Sequence, residues 1–277
     1  MVNSRKITAF KIIKVAICLI VAVTVIVPIL WLFVSSFKDD REVIAYPPKF
    51  FPINWTLMQY QNVNDSVPIL SFTKNSVIFA GLVTLISLLF DSMSGYAFAR
   101  MNFKGKELLF GIILVTMMVP FQVVMTPLYI EIFKFKLLNT YAGLILPRAT
   151  SAFGIYMMRS FFVSLPKSLE ESARIDGCRE FRIYWSIMMP LCKPALLTLG
   201  IFHFMNNWND LLYPLMLTSS TDMSTLASGL ATLVGNKVIK YGPTLAATMI
   251  SILPILVLYI FAQKYFTKGI MVGSLKG

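Results

Sequence analysis

The sequence predicts an all-α membrane protein with six transmembrane helices and both termini in the cytoplasm. Of its 277 residues, 57% are hydrophobic and only 14% are charged, whereas ordinary soluble domains are about 25% charged. The mean hydropathy is +0.72, and the apolar residues come in runs of about 20, the length that crosses the hydrocarbon core of a bilayer. A disordered chain, a collagen-like fibre and a secreted disulfide mini-protein are therefore excluded.

The first apolar run carries no charge and is longer than the apolar core of a cleaved signal peptide, so it is interpreted as a retained span. An outer loop, Ser35–Asn75, separates it from the others, and its Pro47, Pro48 and Pro52 cannot continue a helix. We expect one transmembrane domain over residues 1–277. Its predicted spans are 15–34, 76–98, 108–130, 142–162, 195–217 and 243–263.

The distribution of Lys and Arg predicts the orientation. With a cytoplasmic N-terminus, the inner segments carry roughly twice as many basic residues as the outer segments, which is the bias that orients short loops. The formal net charge of +12 is then explained by membrane topology, and nucleic acid is not an expected partner. We expect a multi-pass membrane protein, surrounded by lipid.

No combination of residues in the sequence predicts catalysis or metal binding. There is no phosphate-binding G-x-x-x-x-G-K-[ST] loop, and the single histidine, His203, excludes a multi-histidine metal site. Cys18 lies in an apolar run while Cys178 and Cys192 share one basic loop, so a disulfide framework is not expected. We therefore expect no enzymatic activity, no metal and no cofactor in this chain.

The longest predicted cytoplasmic loop, Val163–Lys193, has the patterns of two short helices. Ser168 and Glu171 have the spacing of a capping box, and Gly177 is placed to end the first helix. An exposed apolar stripe requires a partner, which is either another span of this chain or another subunit. The stripe of the second helix consists of Phe181, Tyr184, Trp185 and Met188.

The same loop resembles the EAA motif of ABC-importer permeases, and we refer to residues 163–193 as the EAA segment. The run Leu169–Gly177 is similar to the version found in carbohydrate importers, although Ser172 and Met189 stand where that family usually has alanine and leucine. Further matches are Asn139–Tyr141, Trp208–Asp210 and the ending Gly269–Gly277. The motif itself is carried by Glu171, Ser172, Ala173, Gly177, Ile187, Met189 and Pro190.

The resemblance implies the type I ABC-importer permease fold and the role of the maltose-type second permease subunit. It implies a complex with a second homologous permease, two ATP-binding subunits that bind and hydrolyse the ATP, and an extracytoplasmic solute-binding protein. Glu171 either contacts the ATPase or closes the capping box. Asp176 either contributes to the coupling or has a local role, as a salt-bridge partner or as the cap of the second helix. The implied ATPase-coupling residues are Glu170, Glu171, Ser172, Ala173, Asp176, Gly177, Ile187 and Pro190.

Polar residues within predicted spans are candidates for the solute path, because buried polar groups are costly in lipid. Sugar recognition uses amides, carboxylates and aromatic faces, although asparagines also hydrogen-bond neighbouring helices and His203 alone favours helix packing. Depth argues against a direct Asp91–Arg148 pair; for Arg148 the alternatives are snorkelling to the outer interface and a contact in the path. The candidate path residues are Arg148, Asn206, Asn207, Trp208, Asn209 and Asp210.

The function predicted from the sequence is transport of a sugar or oligosaccharide as a permease subunit of an ATP-driven importer. Three alternatives remain open at this point. An ABC-importer permease for a non-sugar solute would have the same EAA segment. A self-sufficient secondary transporter would explain the polar fifth span but not the EAA segment, and an intramembrane enzyme would require a catalytic set that the sequence does not show.

Overall fold

The structure is a computed structural model that describes the backbone of residues 2–235 and 240–274 and the side chains of residues 11–233 and 240–261. The terminal Lys276-Gly277 pair, part of the resemblance above, lies outside the described residues. The α-helices are α1 (Val2–Ser35), α2 (Asp40–Val43), α3 (Met58–Ser66), α4 (Ile69–Arg100), α5 (Lys106–Thr116), α6 (Phe121–Lys134), α7 (Tyr141–Ile145), α8 (Ala152–Ser164), α9 (Ser168–Ile175), α10 (Glu180–Ile183), α11 (Met189–Leu191), α12 (Lys193–Trp208), α13 (Leu212–Leu217), α14 (Leu226–Gly235) and α15 (Tyr241–Ser274).

Among the described residues, three continuous helical stretches are long and apolar enough to cross a membrane: Lys11–Ser35, Ile69–Arg100 and Tyr241–Phe261. They correspond to the first, second and sixth predicted spans. Two further helix pairs would pass the same test if each counted as one bent span, α5 with α6 and residues 180–191 with α12. The all-helical fold of the described residues agrees with the predicted class, and the count of six spans stays a prediction.

The prediction of a single helix for residues 108–130 is wrong. α5 ends at Thr116, α6 begins at Phe121, and the two helices are bent by 100°. The break falls at Pro120, whose backbone is extended and whose nitrogen has no hydrogen to donate to the preceding turn.

The predicted single helices over 142–162 and 195–217 are also wrong. In the first, Pro147 lies in a 3-10 turn, and Ser151 then starts α8 as an N-cap whose hydroxyl accepts the Gly154 backbone N–H. In the second, α12 ends at Trp208, and the Asp210 carboxylate accepts a backbone N–H from the first turn of α13. In both places a polar side chain accepts a backbone N–H at the start of the new helix, which a preceding turn would accept if the helix were continuous.

The chain divides into two compact units, Met1–Ile69 with Thr232–Ile252, and Leu70–Ala231 with Leu253–Gly277. In the first unit, the buried ammonium of Lys38 donates to the Lys49 carbonyl at 2.6 Å and lies 4.4 Å from the centroid of the Trp31 ring. The Gly242 backbone N–H donates to Asp40 Oδ1 at 2.8 Å, so α15 begins against α2. The prediction of one domain for the chain stays a prediction.

The second unit contains both candidate functional regions, and two apolar clusters are buried among its described residues. One joins α4, α8 and the EAA segment to α12 and consists of Tyr96, Met158, Phe162, Ala173, Ile183, Tyr184, Met188, Cys192, Ala195 and Leu199. The other joins α4, α6 and α7 to α13 and consists of Phe79, Val83, Ile132, Leu144, Ile145, Tyr213 and Leu217.

Candidate functional site

The EAA segment starts differently from the prediction. Lys167 already has helical backbone angles, and its carbonyl accepts the N–H groups of Glu170 and Glu171. Ser168 is therefore the first helical residue rather than the N-cap, and the predicted capping box with Glu171 is wrong. Because capping does not occupy the exposed Glu171 carboxylate, it stays available for a contact outside the chain.

Gly177 ends α9 as predicted, through a Schellman motif. Its φ is +79°, and its N–H donates to the Arg174 carbonyl while the Cys178 N–H donates to the Ala173 carbonyl. Glycine takes this left-handed conformation without steric cost. A Cβ on Gly177 would meet no atom within 4 Å, so the requirement for glycine is purely one of backbone conformation.

The predicted apolar face of the second helix is wrong in its register. Residues Tyr184–Met188 form a π-turn between α10 and α11, which rotates the following residues relative to a regular α-helix. Tyr184 and Met188 consequently pack into the core together with Ile183, while Phe181 and Trp185 are 70% and 53% exposed. The segment therefore both packs on this chain and presents an apolar surface.

The outward face of the EAA segment combines these apolar side chains with charge. Ile175, next to the Gly177 bend, is 86% exposed, and Glu171, Ser172, Asp176 and Pro190 are exposed as well. Ile187 is half-buried, and Ala173 is buried. A large exposed apolar surface rimmed by charged residues is typical of a protein interface.

Glu170 is not part of that outward face, contrary to the position that the resemblance suggested. Its buried carboxylate lies 2.9 Å from Arg100 Nε, at the end of α4. The same guanidinium donates to the carbonyls of Phe162 and Leu165, both at 2.7 Å, and so satisfies the C-terminus of α8. Burial raises the pKa of Glu170, although the guanidinium groups of Arg100 and Arg174 favour its charged form.

A second, more exposed pair continues this network. Arg174 donates to both carboxylate oxygens of Glu180, at 2.7 and 3.2 Å, and Tyr96 of α4 donates to the same carboxylate at 3.0 Å. The hydrogen bond from Arg174 holds the pKa of Glu180 below its ordinary value. These contacts bind α9 and α10 to the end of α4 as one body.

The second candidate region is a cleft of 240 Å³ in the broken part of the fold. Its walls come from α4, from residues 147–153 and from α12, and they combine polar and aromatic side chains. The lining residues, which we refer to as the cleft, are Val83, Pro147, Arg148, Thr150, Ser151, Phe153, Phe202, His203, Asn206 and Asn207.

Asp91 lies behind the cleft wall and is fully buried. Its carboxylate accepts hydrogen bonds from the Thr150 hydroxyl at 2.7 Å, the Ser151 backbone N–H at 2.8 Å and the Ser151 hydroxyl at 3.1 Å. The His203 ring nitrogen Nε2 lies 2.9 Å from Asp91 Oδ2, the oxygen that also accepts the Ser151 hydroxyl. His203 is thus hydrogen-bonded to an acid of α4, a more specific role than the predicted helix packing.

Arg148 pairs with Asp210 rather than with Asp91. Its guanidinium lies 2.5 Å from Asp210 Oδ2, donates to the Asn207 carboxamide oxygen at 2.9 Å and stacks 4.1 Å from the Tyr213 ring centroid. The depth argument against a direct Asp91 pair agrees with this geometry. Snorkelling, the other interpretation of Arg148, stays a prediction.

The predicted path residues fall on different sides of α12. Asn206 is exposed and lines the cleft, and Asn207 lines it from a buried position. Asn209 is exposed, and its carboxamide donates to the Met205 carbonyl. Trp208 is buried against Phe204, so the expectation that its indole offers a ring platform is wrong.

Sequence reasoning missed six lining residues: Val83, Pro147, Thr150, Ser151, Phe153 and Phe202. Thr150 and Ser151 carry a signal, because two adjacent hydroxyl residues after Pro147 in an apolar run indicate a turn and a helix N-cap. The two phenylalanines carry none, since an aromatic residue in an apolar helix is ordinarily a packing residue.

Comparison with known proteins identifies relatives along most of the chain. The family model described as "Binding-protein-dependent transport system inner membrane component" matches residues 92–271. The chain is 37% identical to the arabinooligosaccharides transport system permease protein AraQ of Halalkalibacterium halodurans, over 93% of each chain. It is 32% identical to the diacetylchitobiose uptake system permease protein NgcG of Streptomyces coelicolor, over 96% of this chain and 89% of that protein.

A solved structure has the same fold. It is a chain of a bacterial ABC transporter involved in the import of the acidic polysaccharide alginate, with a TM-score of 0.84 and 25% sequence identity. The match covers 95% of this chain and 99% of that chain.

Proposed function

Because this chain belongs to the binding-protein-dependent transport system inner membrane component family, we propose that it carries a sugar or oligosaccharide across the membrane. It is a multi-pass permease of ABC transport systems, a transporter subunit rather than a known enzyme. Relatives named for arabinooligosaccharides and diacetylchitobiose support the choice of a carbohydrate as the solute.

The proposed complex contains a second homologous permease, two ATP-binding subunits and an extracytoplasmic solute-binding protein. ATP is bound and hydrolysed by the partner subunits, since this sequence has no phosphate-binding loop. Six spans with both termini in the cytoplasm put the EAA segment on the same side as the ATPases. The solute passes between the two permeases rather than through this chain alone.

The division of the EAA segment into a buried half and an exposed half is the observation that carries the proposal. Ile183, Tyr184 and Met188 and the Arg100–Glu170 pair hold the segment to α4 and α8. Ile175, Phe181 and Trp185 remain exposed beside Glu171. A surface that is rigidly attached to long helices transmits a movement of a docked ATPase to those helices, as a shift between inward- and outward-facing states requires.

Replacement of Gly177 tests this coupling. Gly177→Val forces a β-branched residue into the left-handed region, which costs about 1–2 kcal/mol or more per residue. We expect the importer, reconstituted in proteoliposomes with its partners, to retain ATP hydrolysis while solute uptake per ATP falls about tenfold, the factor that 1.4 kcal/mol represents.

Gly105 supplies a matched control. It also has a φ of +79° and open space where a Cβ would lie, but it precedes α5 instead of bending the EAA segment. Gly105→Val should therefore leave the uptake-to-hydrolysis ratio close to that of the wild type. Equal uncoupling by both variants, or normal coupling in Gly177→Val, contradicts the coupling role. Solute accumulation driven by an ion gradient in liposomes that contain this chain alone contradicts the whole proposal.

A further inference from the structure

The carboxamide of Asn206 differs from those of its neighbours on α12. Asn207 is hydrogen-bonded to Arg148 and to the His203 carbonyl, and Asn209 donates to the Met205 carbonyl. The exposed Asn206 side chain makes no hydrogen bond to any residue that the structure describes, although it lines the cleft. An amide without partners is costly in a membrane unless water or a solute supplies them.

An aromatic surface lies one helical turn away from this amide. Phe202 precedes Asn206 by four residues, so both lie on one face of α12, and both line the cleft. Phe202 is 43% exposed, and its ring centroid is 4.6 Å from that of Phe153 in α8. The negative face of an aromatic ring attracts the C–H groups on one side of a sugar ring, while the hydroxyls at the edge of that ring require amide donors and acceptors.

The size of the cleft limits what it holds. Its volume of 240 Å³ lies below the range of about 300–1,000 Å³ for drug-sized ligands. A single sugar ring matches this volume, whereas two linked rings exceed it. An oligosaccharide would therefore occupy the cleft one ring at a time.

The charges around the cleft favour an uncharged ring. Arg148 is the one guanidinium among the lining residues, and it is committed to Asp210 at 2.5 Å and to Asn207 at 2.9 Å. His203 faces the Asp91 carboxylate at 2.9 Å. Because Asp210 already balances the charge of Arg148 and His203 faces Asp91, an acidic sugar finds no unpaired cation among the lining residues to offset the cost of burying its carboxylate.

We propose that the cleft is a subsite for one neutral sugar ring, in which Phe202 packs against the ring face and Asn206 hydrogen-bonds to its hydroxyls. The inference rests on the proposed function and goes beyond it by assigning this chain a direct part in solute selection. The Arg148–Asp210 pair keeps the subsite neutral and excludes carboxylate-bearing rings.

Uptake by the complete reconstituted transporter tests the subsite. The probes are radiolabelled disaccharides of glucose, arabinose and N-acetylglucosamine, and a uronic-acid disaccharide as the acidic counterpart. We expect wild-type uptake to favour a neutral probe. Phe202→Ala should raise the KM for that probe about tenfold and Asn206→Ala about threefold to tenfold, whereas Phe202→Tyr keeps the ring and should stay near the wild-type KM.

The matched control is Leu197→Ala, because Leu197 is also 43% exposed on α12 but belongs to a different, wholly apolar surface. Asp210→Asn tests the charge argument: it frees the Arg148 guanidinium and should raise the ratio of acidic to neutral uptake. Complex assembly is monitored for each variant by co-purification of the ATPase.

The outcomes separate the two proposals. Wild-type uptake of a neutral probe with an unchanged KM in Phe202→Ala overturns the subsite and leaves the permease function standing, as does preferred uptake of the uronic-acid probe. An equal loss in Leu197→Ala and Phe202→Ala also overturns it. Absence of uptake of every probe by the assembled wild-type complex overturns the proposed sugar transport and the subsite together.

Discussion

The EAA segment and the cleft both contain buried ions, but the two regions place them differently with respect to their accessible surface. In the EAA segment, the Arg100–Glu170 pair joins three elements at the inner side of the segment, and the outward face presents Ile175, Phe181 and Trp185 beside exposed charged residues. In the cleft, Asp91 lies behind the wall and Arg148 is neutralised at its rim, and the free groups are an amide and an aromatic ring.

The difference indicates what each region is built to contact. A protein partner covers its docking surface permanently or for long periods, so apolar side chains suit the EAA segment. A sugar must bind and leave in each cycle, so neutral polar groups with one aromatic face suit the cleft. In both regions the charges fix the position of backbone and helices, while other residues make the contacts.

The largest effect is expected when the Arg100–Glu170 pair, which holds the EAA segment to α4, is removed. Arg100→Met leaves Glu170 buried without its closest partner and the carbonyls of Phe162 and Leu165 without their donor. Removal of one member of a buried pair costs about 3–5 kcal/mol. We expect a lower apparent melting temperature of the purified complex in nanodiscs, together with loss of uptake per ATP hydrolysed.

The double variant Arg100→Met with Glu170→Met is the control for this first prediction. It removes both charges, so the part of the loss that comes from the unpaired Glu170 carboxylate should return, whereas the carbonyls of Phe162 and Leu165 stay without their donor. If Arg100→Met has the same melting temperature as the wild type, the Arg100–Glu170 pair does not stabilise the EAA segment. The proposed difference between the two regions is then contradicted.

The second prediction concerns the equivalent support of the cleft. Asp91→Asn keeps the shape but removes the charge that accepts hydrogen bonds from Thr150, Ser151 and His203. Hydrogen bonds to a charged group contribute about 1.5–3 kcal/mol, and an amide retains part of that, so a loss of about 2 kcal/mol is expected. Uptake should fall while co-purification of the ATPase persists.

Gly154→Ala approaches the same site from the backbone, because a Cβ there would collide with the Asp91 carboxylate. It should lower uptake as Asp91→Asn does, and Gly111→Ala, where a Cβ meets open space, serves as its control. Loss of the ATPase from either cleft variant would show that the two regions do not separate solute contact from docking.

These contrasts also mark what the sequence was able to predict. The class of fold, the bend at Gly177 and the presence of two short helices followed from local patterns, because composition, φ preference and helix periodicity are local properties. The resemblance to the importer permease family was confirmed by the family match over residues 92–271. The predicted coupling and path residues stay predictions.

The partners of the charged residues did not follow from the sequence. Glu170 contacts Arg100, which lies 70 positions earlier in the sequence. His203 contacts Asp91, which lies 112 positions earlier. Such pairs depend on how α4, α8 and α12 pack, which no local pattern contains. The π-turn at Tyr184 likewise shifted the apolar face, because a 3.6-residue period cannot anticipate one wider turn.

The smallest effect is expected at the exposed pair of Arg174 and Glu180, in contrast to the buried Arg100–Glu170 pair of the same segment. Both side chains are 41% exposed, and exposed pairs contribute about 0–1 kcal/mol, so Arg174→Gln should lower the melting temperature far less than Arg100→Met. The sign of its pH dependence follows from the lowered pKa of Glu180. The contribution of the pair is present above the ordinary value of 4.5 and is lost as the pH falls through the lower folded-state pKa. The melting temperatures of wild type and Arg174→Gln, measured from neutral pH downward, should converge below pH 4.5. A difference in melting temperature that grows in acid contradicts the stabilising role of the Arg174–Glu180 pair. Arg182→Gln, which changes an exposed neighbouring residue, is the control.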